Sequence, residues 1–433
     1  MAKSKNKTGV FGRSLSLLSM AAKVGGKELI NKAVSKLPSE EAKVRVEQAL
    51  IIAEHLSQLK GAAMKAGQLL SLDASDFLPE EAIEILSKLQ SDAKPYDTNI
   101  LKKVVLKELG SEKLQELEDF SSEPIGVASI GQVHRARLNG KEVAVKIQYP
   151  KIAESIDSDL LVLKKVAQSF VTLSGKKIPL NDIFEEFKQV LANEINYEAE
   201  RKSMEAYKSF LGSSEGYIIP SSYKEYSSKK VLTMSWEEGL SVKDYLKMSP
   251  PISEREELAH LILDLFCLEF ADWGLVQTDP NFANFKIRRN PTRLVCLDFG
   301  AAIEYPLEFR TSYGQLLKSF RDSDPKGCFE VAVDFGLLSK KESPEAQKAF
   351  YDMISVSLEP FDPSKQPFQF NDPSFEKRTR QANIKFSQSL KYSPPPRSIL
   401  FLHRKLGGIF NLVKKMGVEL DLTPYWIKMT SKA

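Results

Sequence analysis

Asp279, Asn284 and Asp298 fall within one short stretch, QTDPNFANFKIRRNPTRLVCLDFG, which runs from Gln277 to Gly300. A buried carboxylate is costly unless it is paired or bound to a cation. Two carboxylates and an amide are hard oxygen donors, the set that suits magnesium, which keeps several waters and takes one or two carboxylates. Five residues separate Asp279 from Asn284, and an extended-turn-extended pattern then leads back to Asp298. The spacing therefore predicts a cation between polar groups carried by a loop and the end of a hairpin.

Protein kinases use this order: a catalytic-loop Asp, an Asn five residues on, a hairpin, then Asp-Phe-Gly. In that arrangement Asp279 meets an acceptor hydroxyl or a water, while Asn284 and Asp298 hold magnesium. Upstream, GVASIGQV sets Gly126, Ala128, Gly131 and Val133 at the positions of the kinase glycine-rich loop, with Ala in place of the middle glycine and Ser129 inside the loop. One hairpin later, VAVKIQYP places Lys146 where a kinase lysine holds the α- and β-phosphates. Such a lysine needs a helix glutamate. NEINYEAE, read as part of one helix, offers Glu194, Glu198 and Glu200, and pattern alone does not choose among them. After Asp298 the chain has no Ala-Pro-Glu element and turns helical within about fifteen residues, which argues against a platform for protein substrates.

The elements that must position these groups follow from periodicity. The reading is an α+β, protein-kinase-like bilobal fold with a helical N-terminal extension. Residues 1–39 form a basic segment, 40–110 the helical extension, 111–238 a small lobe with a helical insert, and 239–433 a helical large lobe. Asn139-Gly140 between two extended runs is a strong hairpin signal. LAHLILDLFCLEFADWG is a core helix beneath the catalytic loop.

Composition sets outer bounds. The 433 residues are 42% hydrophobic and carry a net charge of +4, so nothing points to nucleic acid. Cys267, Cys296 and Cys328 stand apart in apolar runs, as buried thiols of a reducing compartment do. His55, His134, His260 and His403 show no metal spacing. No apolar run reaches membrane-span length, so the expectation is a soluble or surface-attached protein. From Met1 to Lys27 there are six Lys or Arg residues and no acid. A solvated basic tail, an interfacial helix on anionic lipid and a transit peptide all remain open for this segment.

Taken together, KAGQLLSL, PIGVASIGQVH, VAVKIQYP, NEINYEAE, QTDPNFANF, LDFGA and LHRKLGG resemble the UbiB, or AarF-domain-containing, family of atypical kinases, near its mitochondrial ubiquinone-biosynthesis branch. The resemblance covers nearly everything beyond residue 40. It implies ATP and Mg²⁺ as cofactors, with Gly126, Ala128, Ser129, Gly131, Lys146 and Glu200 at the nucleotide, Lys146 pairing with Glu200. It implies Asp279 as the catalytic residue and Asn284 and Asp298 as metal ligands. It further implies a regulatory latch, in which the Lys-x-Gly-Gln helix of Lys65, Gly67 and Gln68 covers the site and Lys65 approaches Glu194. Two positions depart from the family pattern: Asn196 replaces an Asp, and Gly126 replaces an Ala.

The function so implied is an ATP-Mg-dependent ATPase or small-molecule kinase supporting ubiquinone biosynthesis, not a kinase of proteins in trans. The competing reading is a nucleotide-gated scaffold that binds lipid or a biosynthetic complex without turnover. Expected partners are quinone precursors, anionic lipid and other quinone-biosynthesis proteins. The expected location is the cytoplasm, peripheral on the inner face of a membrane, or the mitochondrial matrix in a eukaryote.

Overall fold

The computed structural model describes residues 95–431, apart from 129, 175–179, 280, 322–324 and 390–396. The basic segment, most of the helical extension and the motif of Lys65, Gly67 and Gln68 lie outside the described residues. The chain divides into two compact units, one of Met1–Pro95, Val127–Gly131 and Lys151–Leu191, the other of Tyr96–Gly126, Gln132–Pro150 and Ala192–Ala433.

In the first unit, the Ala128 amide donates to the Gly131 carbonyl at 2.8 Å, closing a tight turn. Two helices follow, Ile152–Ser174 and Leu180–Glu194, the second ending three residues beyond the unit. Ile152, Ile156, Leu160 and Leu163 recur at helical spacing and are buried. Lys188 pairs with Asp157 across the two helices at 2.7 Å.

The second unit opens with a helix, Thr98–Leu109, and a small antiparallel sheet. Strands β2 (Gly131–Leu138) and β3 (Lys141–Gln148) form the expected hairpin. Asn139 and Gly140 both take positive φ, 50° and 74°, the backbone that a two-residue hairpin turn requires. β3 pairs with β5 (Val231–Ser235), which puts Lys146 opposite Leu232. Val143 to Gln148 are buried without alternation, because the helix Thr98–Leu109 packs on this sheet and its other face is covered as well.

Beyond β5 the chain is mainly helical. The core helix Ile252–Cys267 buries Leu258, Ile262, Leu265 and Phe266. It widens into a π-helical turn, Leu268–Trp273, which Gly274 ends in a left-handed conformation at φ 72°. Added turns of this kind cluster at functional sites, and here the loop that carries Asp279 follows β7 directly. β7 (Leu275–Gln277) pairs with β10 (Ala302–Glu304), and β8 (Phe285–Arg288) with β9 (Arg293–Cys296). Cys267, Cys296 and Cys328 are buried. No helix of the described residues is long and apolar enough to cross a membrane.

The structure corrects one expectation. NEINYEAE is not part of a single helix. One helix ends at Glu194 and the next, Tyr197–Leu211, begins with Asn196 as its N-cap, whose side chain accepts from the Ala199 amide at 3.3 Å. An amide or carboxylate at that position competes well for the free amides of the first turn, so a break there is favoured over continuation. Glu194 and Glu198 therefore do not share a helical face, and Glu200 lies in the first turn of its own helix.

Candidate active site

Three backbone contacts gather the polar residues. The Leu297 amide donates to the Asn284 carbonyl at 2.9 Å, which brings the residue before Asp298 beside Asn284. The Thr278 amide and hydroxyl both donate to the Ala301 carbonyl, at 3.0 and 2.8 Å, fixing Asp279 next to the end of the Asp-Phe-Gly turn. Asn281 caps the short 3-10 turn Phe282–Asn284 through Ala283, so Asn284 is delivered by a rigid turn.

Lys146 joins this group from β3. Its ammonium donates to Glu200 Oε1 and Oε2 at 2.7 and 2.9 Å, and to Asp298 Oδ2 at 3.3 Å. Its Nζ also lies 5.1 Å from the centroid of the Tyr197 ring. Burial opposes the charge on Lys146, but Asp298, Glu200 and Tyr197 together hold it well above the ordinary lysine value. Burial pushes the Glu200 carboxyl up, and Lys146 counters it. The directions pull apart, and two short hydrogen bonds to one carboxylate decide for an ionised pair. Glu200 also accepts from the Phe299 backbone, and a Cβ on Gly300 would sit 3.5 Å from Glu200 Oε2, so the Asp-Phe-Gly turn rests on this carboxylate. The Gly300 amide donates to Asp298 Oδ1 at 3.0 Å and sets its rotamer.

Asp279 is buried, accepts from the Asn281 amide at 3.3 Å, and its own amide donates to Gln277 Oε1 at 2.8 Å. The Asn284 side chain is buried and its Nδ2 has no hydrogen-bond partner among the described residues. A buried amide without a partner marks a place for a missing group. A half-turn of that amide presents its oxygen, and with Asp298 it makes the hard donor pair that magnesium takes. The residues thus fit the metal and nucleotide that the sequence implies. Ala128 and Gly131 lie in the other unit and Ser129 is outside the described residues, so their part rests on sequence. Gly126 has only Val133 near a would-be Cβ, at 3.9 Å, so the protein's own packing does not demand glycine there.

The family model described as the ABC1 atypical kinase-like domain matches residues 88–332. The chain is 34% identical over 374 residues to the mitochondrial atypical kinase COQ8 of Saccharomyces cerevisiae, across 85% of this chain and 73% of that one. It belongs to the ABC1 atypical kinase-like family. The mitochondrial COQ8 of Schizosaccharomyces pombe is 31% identical over 373 residues, covering 86% of this chain and 60% of its own length, so this ABC1 chain spans less than two thirds of that relative. Among solved structures, Rv3197 of Mycobacterium tuberculosis, determined with erythromycin, aligns with a TM-score of 0.60 and 22% identity over 89% of this chain and 96% of that one. That likeness bears on the ABC1 fold alone.

Some of the site is absent from the sequence reading. Glu269, in the π-helical turn, accepts from the Tyr207 hydroxyl at 2.9 Å and pairs with Lys405 at 3.2 Å. Both charged side chains are at most 5% exposed. Burial pushes the Glu269 carboxyl up, and Lys405 and Tyr207 counter it. Tyr207 stands on the helix of Glu200 and meets the Phe299 ring edge-on at 5.0 Å. One buried network therefore links that helix, the turn before the catalytic loop, and the LHRKLGG helix (Arg397–Met416). LHRKLGG was legible only as family sequence.

Proposed function

We propose that this chain is a Mg-ATP-dependent phosphoryl-transfer enzyme of the atypical-kinase type, an ATPase or small-molecule kinase serving isoprenoid-quinone biosynthesis. The observation that carries the reading is the Lys146 ammonium held between Glu200 and Asp298 while the Leu297–Asn284 contact sets Asn284 beside it. In this reading Lys146 neutralises the α- and β-phosphates and Glu200 holds it in place. Asn284 and Asp298 are the magnesium ligands, and Asp279 orients a water or an acceptor hydroxyl. Magnesium, when bound, supplies charge neutralisation at the terminal phosphoryl. Catalysis of this kind is mostly positioning and electrostatics.

The short passage after Asp-Phe-Gly supports a small acceptor. Only residues 301–306 separate Gly300 from the helix Leu307–Arg321, and β10 occupies half of them. That leaves no length for a loop that lays out a peptide. The mitochondrial names of the COQ8 relatives support a mitochondrial location in a eukaryote, and the matrix is the compartment this reading expects. Quinone precursors, anionic lipid at the N-terminal basic segment and other quinone-biosynthesis proteins are the partners this reading expects. The latch of Lys65, Gly67 and Gln68 against Glu194 belongs to the same proposal.

The test is Asp298→Asn, assayed for Mg-ATP turnover beside circular dichroism of the same sample. Loss of turnover in a folded variant is expected. Undiminished turnover removes the metal assignment.

A further inference from the structure

Among the described residues, Arg404 has only a distant ionic contact beside the loop of Asp279. It lies on the helix Arg397–Met416, beside Lys405, with a side chain only 10% exposed. Lys405 pairs with Glu269 at 3.2 Å. Arg404 is held less closely: its Nη2 stands 3.9 Å from Asp279 Oδ1, beyond hydrogen-bond distance, and its buried Nε has no partner among the described residues. A guanidinium offers five donors in a fixed fork suited to carboxylate and phosphate oxygens. Keeping it desolvated with one loose ionic contact is costly unless an acceptor arrives.

Two further facts say what kind of acceptor. The catalytic loop from Gln277 to Asn284 carries no Lys or Arg, so it brings no cation of its own to the reacting group. Gln277 Nε2, from the same loop, is also buried without a partner. Both orphan atoms are donors, and donors without partners await an oxygen-rich anion. In the phosphoryl-transfer reading Lys146, held by Glu200, serves the α- and β-phosphates, which leaves the terminal phosphoryl to another cation.

We propose that Arg404 receives the terminal phosphoryl oxygens of the nucleotide beside Asp279, and holds them as charge shifts during transfer. This rests on the phosphoryl-transfer reading above and adds to it a cation supplied from the helix Arg397–Met416. No bond to Arg404 forms or breaks; the phosphoryl passes to water or a hydroxyl whose proton Asp279 accepts, and ADP leaves.

The experiment uses the full chain, wild type, Arg404→Met and Arg404→Lys, with calorimetric binding of Mg-ADP, alone and with orthovanadate as a mimic of the phosphoryl in flight. Thermal unfolding without nucleotide and a titration with inorganic phosphate alone complete it. The wild type binds Mg-ADP and binds it more tightly with vanadate. Arg404→Met keeps Mg-ADP affinity within about twofold, loses the vanadate gain and loses about 100-fold in phosphate release, the size of effect expected when one preorganised donor is removed. Arg404→Lys retains part of the gain. Without nucleotide, Arg404→Met melts at or above the wild-type temperature, because a desolvated, weakly paired cation has been removed.

Retention of the vanadate gain in Arg404→Met overturns the proposal. So does a clear loss of thermal stability without nucleotide, which would make Arg404 a structural counter-ion of Asp279. Phosphate binding that needs Arg404 with no gain from vanadate in the wild type assigns the site to a free anion and also overturns it. Failure of the wild type to bind Mg-ADP overturns the underlying reading itself, a result distinct from the other three.

Discussion

Lys146 and Glu200 meet at 2.7 Å across 54 residues of sequence, joining β3 to the first turn of the helix Tyr197–Leu211. Their side chains are 10% and 1% exposed, so the pair is desolvated and each partner depends on the other. Removing one member of a buried pair leaves an uncompensated charge. Glu200→Leu should lower stability by about 3 kcal/mol, the low end for such changes because Asp298 remains 3.3 Å from Lys146. The double variant Lys146→Met with Glu200→Leu should recover much of the loss. Urea denaturation midpoints check both, and a single variant as stable as the wild type would contradict the pairing.

Gly274 separates the π-helical turn from β7 with φ 72°, and a Cβ there would lie 2.8 Å from the Tyr305 carbonyl oxygen and 3.1 Å from the Arg310 guanidinium. The Tyr305 amide donates to the Gly274 carbonyl at 2.6 Å, so neither backbone is free to yield. Gly274→Ala should cost about 2 kcal/mol or more, from left-handed strain and the clash together. Thermal unfolding reads it, and activity should fall with it, because the catalytic loop hangs from β7.

Asn196 caps the helix that carries Glu200. Asn and Asp are near equals at that position. Asn196→Asp should therefore leave stability within a few tenths of a kcal/mol, whereas Asn196→Ala should cost about 1 kcal/mol. Equal melting temperatures for all three proteins would remove the capping role.

His134 is fully buried, takes a hydrogen bond from the Gln132 amide group at 2.9 Å and contacts the Ser121 carbonyl at 3.0 Å through Nδ1. These partners fit a neutral ring protonated at Nδ1. Burial, partly offset by the Ser121 contact, lowers its pKa below the ordinary histidine value of 6.5. The unfolded chain therefore binds the proton first. Stability attributable to His134 is complete above pH 6.5 and falls as pH drops below it, by at most about 1.4 kcal/mol per pH unit. His134→Gln should flatten the wild-type decline between pH 6.5 and 5 in urea titrations, and an unchanged slope would contradict the assignment.

Local chemistry decides what is legible in such a chain. Asn139-Gly140 announces its hairpin because few other dipeptides take two positive φ angles. Asp279, Asn284, Asp298 and Lys146 are readable because their order and spacing along one loop and two hairpins match the kinase pattern. The break at Asn196 was legible in principle: an amide two residues after Glu194 is a cap signal, but the flanking periodicity runs through it. Glu269, Lys405 and Arg404 were not legible as a cluster. Glu269 sits inside an apolar run and its partner lies 136 residues away, so only the tertiary fold brings them together. The first 94 residues, with Lys65, Gly67 and Gln68, lie outside the described structure and keep their standing as sequence expectations.

The central claim is that this ABC1 chain turns over Mg-ATP at Asp279. The direct measurement is phosphate release from Mg-ATP by purified wild type and Asp279→Asn, each with and without anionic liposomes and a phenol resembling a quinone precursor. The account predicts turnover that rises with lipid or phenol and is lost in the variant, while Mg-nucleotide binding survives. Tight Mg-nucleotide binding by the wild type with no turnover under any of these conditions would contradict it, and would leave a nucleotide-gated scaffold.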